Sequence, residues 1–144
     1  MEVVYSRCGG MDVHKQTVVV CLLIEEGGRL QKEVRTFGTM TADLEALRAW
    51  LEAAGCTHVA MESTGVYWKP IWNVLEGAVQ ILLVNAQHIK AVPGRKTDVM
   101  DCQWIANLLR HGLLRGSYIP DAAIRQLREL TRHRTTAMIR GHVL

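Results

Sequence analysis

The sequence has no apolar stretch long enough to cross a bilayer. Its longest unbroken apolar run, Val18 to Ile24, falls well short of the roughly 20 residues that a transmembrane helix needs. The N-terminal segment Met1-Glu2-Val3-Val4-Tyr5-Ser6-Arg7 lacks the basic-then-apolar layout of a secretory signal, so a cytoplasmic location is expected, with no membrane partner. There is no Cys-x-x-Cys pair, and none of the histidines has a partner at ligand spacing, which argues against zinc. Cys8, Cys21, Cys56 and Cys102 are widely separated. In a chain without an export signal they are expected to be reduced thiols, with Cys21 and Cys56 in the core. Internal repeats, low-complexity stretches and an internal linker are also missing. The 144 residues, 49% apolar and 22% charged, therefore read as one globular domain able to bury its own core.

The net charge of +3 is unevenly placed. Residues 1–94 carry 8 Lys/Arg against 10 Asp/Glu, and residues 95–144 carry 9 against 4. A basic final third on a near-neutral body suits a polyanionic partner, and charge alone suits a solvated helix face as well.

Gly9 to His14 leads into the β-branched run Thr17 to Ile24, and Glu25-Glu26-Gly27-Gly28 makes a turn before Arg29 to Phe37. This pattern predicts a three-stranded meander. Thr41 suits an N-cap, Asp43 the first turn, and Leu44, Leu47 and Leu51 recur at helical spacing up to Gly55. His58 to Glu62 reads as a short strand, Tyr67 to Glu76 as a helix, and Gln80 to Val84 as a buried parallel strand. A polar loop through Pro93-Gly94-Arg95-Lys96 is expected next, then a helix from about Asp98 to His111 with Ile105, Leu108 and Leu109 on one face. A last helix starts after Pro120, and its Arg-rich end is expected to lead into further chain. The order β-β-β-α-β-α-β-α-α implies an α/β fold of ribonuclease H-like type, a mixed sheet flanked by helices.

Four carboxylates stand out against this frame. Asp12 and Glu62 lie at strand ends, where reactive groups of open α/β sheets gather. Asp98 and Asp101 are three apart, which on one helix puts them on one face. Hard oxygen ligands from separate elements suit magnesium or manganese, and four clustered carboxylates without a cation repel one another. Each residue also has a plain structural role open to it: Asp98 as an N-cap with Asp101 at N3, Asp12 as a strand end, and Glu62 beside Ser63-Thr64 at a helix start.

Lys90, Arg95 and Lys96 flank a glycine loop before a helix start, an arrangement that suits phosphate contact as well as plain exposure. Arg125, Arg128 and Arg132 form a stripe opposite Ile124 and Leu127, fitted to a nucleic-acid backbone, an acidic partner or solvent. Trp72 and Trp104 are expected in the core, and His14, close to Asp12, is the histidine expected to reach the site.

The stretches Gly10-Met11-Asp12-Val13-His14-Lys15 and Met61-Glu62-Ser63-Thr64-Gly65-Val66-Tyr67-Trp68 resemble the DEDD transposases of bacterial insertion sequences, which include the Piv and MooV invertases. So do Val84-Asn85-Ala86-Gln87-His88-Ile89-Lys90, then Pro93 to Asp101, and Leu108 to Pro120, in the same order and spacing from Gly9 onward. The resemblance implies a RuvC-like domain over residues 1–120, with Asp12, Glu62, Asp98 and Asp101 binding magnesium or manganese as catalytic groups. It implies a DNA recombinase, many relatives being guided by a structured bridge RNA, with DNA, a guide RNA and further copies of the chain in a dimer or tetramer as partners. Residues 121–144 would begin a basic helix leading to a second domain whose serine attacks DNA. Ser6, Ser63 and Ser117 do not sit in that motif. Cys102 and Asp121 replace the family's usual alanine and second proline without removing a ligand.

Rival readings are a stand-alone RuvC-like nuclease or junction resolvase and a non-catalytic module for nucleic-acid binding or assembly. An actin-like phosphotransferase would need further phosphate and adenosine motifs for which 144 residues leave no room.

Overall fold

In the computed structural model, residues 2–62, 65–95, 99–114 and 116–117 are described. The chain opens with a meander: β1 (Arg7–Val13), β2 (Thr17–Glu26) and β3 (Arg29–Gly38). The β2–β3 connection is the two residues Gly27 and Gly28, both at positive φ, the backbone twist that two-residue hairpins prefer and that glycine adopts without steric cost. Helix α1 (Thr41–Ala53) follows, then β4 (His58–Glu62), α2 (Trp68–Leu75), β5 (Gln80–Val84), α3 (Ala86–Ala91), α4 (Asp101–Arg110) and the short β6 (Gly116–Ser117). The strands form one mixed sheet in the order β3-β2-β1-β4-β5-β6, with β1, β4 and β5 mutually parallel and the other pairings antiparallel.

Both faces of the central strands are covered, and strict side-chain alternation decides which residue faces which layer. Met11, Val13, Val18, Val20, Leu22, Val59 and Met61 pack with Leu44, Leu47 and Leu51 of α1 and with Ile71, Trp72 and Leu75 of α2. The opposite face holds Cys8, Cys21, Leu23, Ala60 and Val84 against Cys102, Trp104, Ile105, Leu108 and Leu109 of α4 and Ile89 of α3. Trp104 Nε1 also donates to the Ile89 carbonyl at 3.3 Å, tying α4 to α3. All four cysteines are free and buried, Cys8 and Cys102 as well as the expected Cys21 and Cys56, and burial pushes Cys8, Cys21 and Cys56 up to about 12. Among the described residues no helix is long and apolar enough to cross a membrane.

The α/β, ribonuclease H-like expectation agrees with this architecture, and β5 spans the residues the sequence pattern indicates. Three local expectations are corrected. Met40, not Thr41, is the N-cap of α1; its backbone is extended (ψ 155°) and it has no side-chain cap bond. The segment read as a polar loop after β5 contains α3, opened by the Asn85 side chain accepting from the Gln87 N–H at 2.8 Å. Helix α4 begins at Asp101 rather than near Asp98, because Met100 has extended backbone (φ −64°, ψ 151°) and the Val99 carbonyl is taken by Arg95. Asp98, expected to share a helix face with Asp101, lies outside the described residues. So does the helix expected after Pro120, and β6 was not anticipated.

Candidate active site

Parallel pairing sets the site. Met11 of β1 is level with Met61 of β4, so Asp12 and Glu62 are the next residues on adjacent strands, about 4.8 Å apart in strand spacing. Both alternate onto the α4 face: Gly10 and Ala60, two residues earlier, lie against that helix. Helix α4 comes close enough to bring Asp101, its first residue, over the same strand ends. Position 10 permits this, since a Cβ there would lie under 3.0 Å from the Cys102 carbonyl oxygen and the Ala106 nitrogen.

The result is a cleft of about 360 Å³ bounded by Asp12, His14, Lys15, Glu62, Tyr67, Lys90, Arg95 and Asp101, with Ile89 and Ile105 on its walls. His14 Nε2 lies 3.1 Å from Asp12 Oδ2. Arg95 Nη2 donates to Asp101 Oδ1 at 2.5 Å and to the Val99 carbonyl at 2.8 Å. Burial pushes the Glu62 carboxyl above its ordinary value of 4.5; Asp12 and Asp101 push the same way, while Lys90 and His14 pull it back. Asp12 and Asp101 thus both act on Glu62 across the cleft.

The donor chemistry fits a hard divalent cation: carboxylate oxygens from β1, β4 and α4, with a mutual repulsion that such an ion would relieve. Among the described residues, no three His, Cys, Asp or Glu side chains gather closely enough to hold a metal ion together. Of the residues singled out by sequence, Asp12, Glu62, Lys90, Arg95 and Asp101 line one cleft. Lys96, Asp98, Arg125, Arg128 and Arg132 lie outside the described residues. Sequence reading passed over Lys15 and Tyr67, which also line the cleft; their places two residues past the end of β1 and directly before α2 were the available signal.

Solved structures with a similar fold include Thermus thermophilus RuvC in complex with a Holliday junction substrate, at 11% identity and a TM-score of 0.52, covering 78% of this chain and all of that one. A second Thermus thermophilus RuvC structure matches at 13% identity and a TM-score of 0.51, covering 77% and 99%. At these identities the likeness speaks for the fold. A comparison with curated proteins gives no significant sequence match. The family model described as transposase, of the IS110 DEDD type, matches residues 9–139, a span that includes every strand and helix bounding the cleft except the first two residues of β1. With that span matched, the chain belongs to the IS110-type DEDD transposase family.

Proposed function

We propose that this chain is the metal-dependent catalytic domain of a DNA transposase or recombinase acting on insertion-sequence DNA. The observation that carries the reading is the convergence of Asp12, Glu62 and Asp101, from three separate elements, on a cleft that also holds Lys15, Lys90 and Arg95. Asp12, Glu62 and Asp101, with Asp98, would hold magnesium or manganese. When bound, such an ion polarises a phosphoryl oxygen and stabilises charge on attacking or leaving oxygens. The chain's own cations have a different task. Lys15 and Lys90 supply positive potential that draws a phosphate backbone towards the carboxylates, offsetting the repulsion between two anionic partners.

The Holliday junction bound by the Thermus RuvC of like fold supports DNA as the partner. A guide RNA and assembly into a dimer or tetramer complete the proposal, as the resemblance to DEDD transposases implies. The test is incubation of the chain with branched and duplex DNA in Mn²⁺, beside Asp12→Asn and Glu62→Gln. The reading expects DNA binding by all three proteins, and metal-dependent strand transfer, lost in both variants, only when the second domain with its serine is supplied. Unaided cleavage of junctions would favour a stand-alone resolvase. Binding with no cleavage, even with that domain and the element's own DNA and RNA, would favour a non-catalytic module.

A further inference from the structure

Arg95 lies within a sequence loop suited to phosphate contact, yet its guanidinium is occupied. Gly94 stands at φ +100°, a backbone conformation that L side chains rarely adopt, and it turns the chain so that Arg95 folds back on the start of α4. There Nη2 reaches two oxygens at once, Asp101 Oδ1 and the carbonyl of Val99. The pair is partly sheltered, with 32% of the Arg95 side chain and 50% of Asp101 exposed. Asp101 is also one of the carboxylates that crowd Glu62.

We propose that Arg95 is an internal counter-cation for Asp101 which a divalent metal ion displaces, so that metal binding and release of the Arg95 guanidinium into the cleft form one linked step. The inference rests on the metal-binding function proposed above and adds a residue that governs it. A guanidinium and a divalent ion drawn to the same carboxylate oxygen repel each other, and the partly buried cleft screens that repulsion less than water does. Without metal, Arg95 neutralises Asp101 and holds Val99 outside the helix. With metal, the freed planar fork stands on the cleft wall near Lys90, suited to a bidentate contact with a phosphate. Linkage makes the effect reciprocal: a phosphate that captures Arg95 tightens metal binding by the same factor.

The experiment titrates Mn²⁺ alone into wild type, Arg95→Gln, Arg95→Lys and Lys90→Gln at one ionic strength, reading free Mn²⁺ by electron paramagnetic resonance. Arg95→Gln is expected to bind Mn²⁺ about fivefold more tightly, the weight of one partly exposed ion pair removed from competition. Arg95→Lys, which keeps the charge but not the fork, falls between. Lys90→Gln removes the same charge from the same cleft but acts on Glu62, and is expected to change affinity by under about twofold. Equal tightening in Arg95→Gln and Lys90→Gln would reduce the effect to bulk charge and overturn the proposal, as would no change in Arg95→Gln. If none of the four proteins binds Mn²⁺, the metal-binding reading itself fails.

Discussion

Gly10 of β1 lies directly under the backbone of Ala106 in α4, with no room between them for a methyl group. The distance between sheet and helix at this point sets how near Asp101 comes to Asp12 and Glu62, two residues further along β1 and β4 than the contact itself. Gly10→Ala is expected to destabilise the fold by about 1–3 kcal/mol, the usual cost of overpacking, because the obstructing atoms are helix backbone and cannot swing aside. Gly9→Ala is the contrast. Its methyl would meet Val59 Cγ1 and the Cys21 carbonyl oxygen at 3.4 Å, so a smaller loss is expected. Urea unfolding of the two variants checks the order; equal costs would remove Gly10 from the construction of the site.

The crowding of Glu62 predicts a pH dependence of stability. Its carboxyl is raised in the folded state, by burial first and then by Asp12 and Asp101. In the range above its ordinary value the folded protein therefore binds more protons than the unfolded chain, and stability falls as pH rises through that range. Glu62→Gln is expected to melt higher than wild type near neutral pH and to lose that advantage below about pH 4.5, where the ordinary carboxyl is itself protonated. A variant that melts lower than wild type at neutral pH would contradict the assigned repulsion.

Divalent metal should relieve the same repulsion. At a hundredfold excess of Mn²⁺ over its dissociation constant, the folded state is expected to gain about 2.7 kcal/mol relative to chelator. Asp12→Asn should lose most of that gain. Identical melting temperatures with and without Mn²⁺ in the wild type would sink the prediction.

The basic final third supports a prediction from sequence alone. Replacing Arg125, Arg128 and Arg132 together with glutamine is expected to weaken duplex binding and flatten its salt dependence, with the logarithmic slope falling by up to about 2.7 if all three meet phosphates. Binding measured between low and physiological salt reads this slope directly. An unchanged slope would assign the stripe to a protein interface or to solvent.

By itself the sequence determined the element types and their order wherever periodicity was strong. Thr17 to Ile24 is β-branched and apolar, Leu44, Leu47 and Leu51 repeat at helical spacing, and Gly27-Gly28 marks a hairpin, so local sterics and burial point the same way. It also marked Asp12 and Glu62 as strand-end carboxylates. It did not reveal α3, whose six residues offer too little periodicity to stand out from a loop, or the start of α4, where Asp98 and Asp101 carry an equally good helix-opening pattern. That start turns on a local side-chain bond that periodicity does not show: the Val99 carbonyl that a longer helix would use is bonded to Arg95, beside the turn at Gly94. Only the tertiary structure decided the site. Asp12, Glu62 and Asp101 come from elements far apart in the chain, and the register of Met11 on Met61, together with the contact of α4 over Gly10, brings them together. Strand register and helix approach are pairwise properties of distant segments, so no single stretch of sequence encodes them.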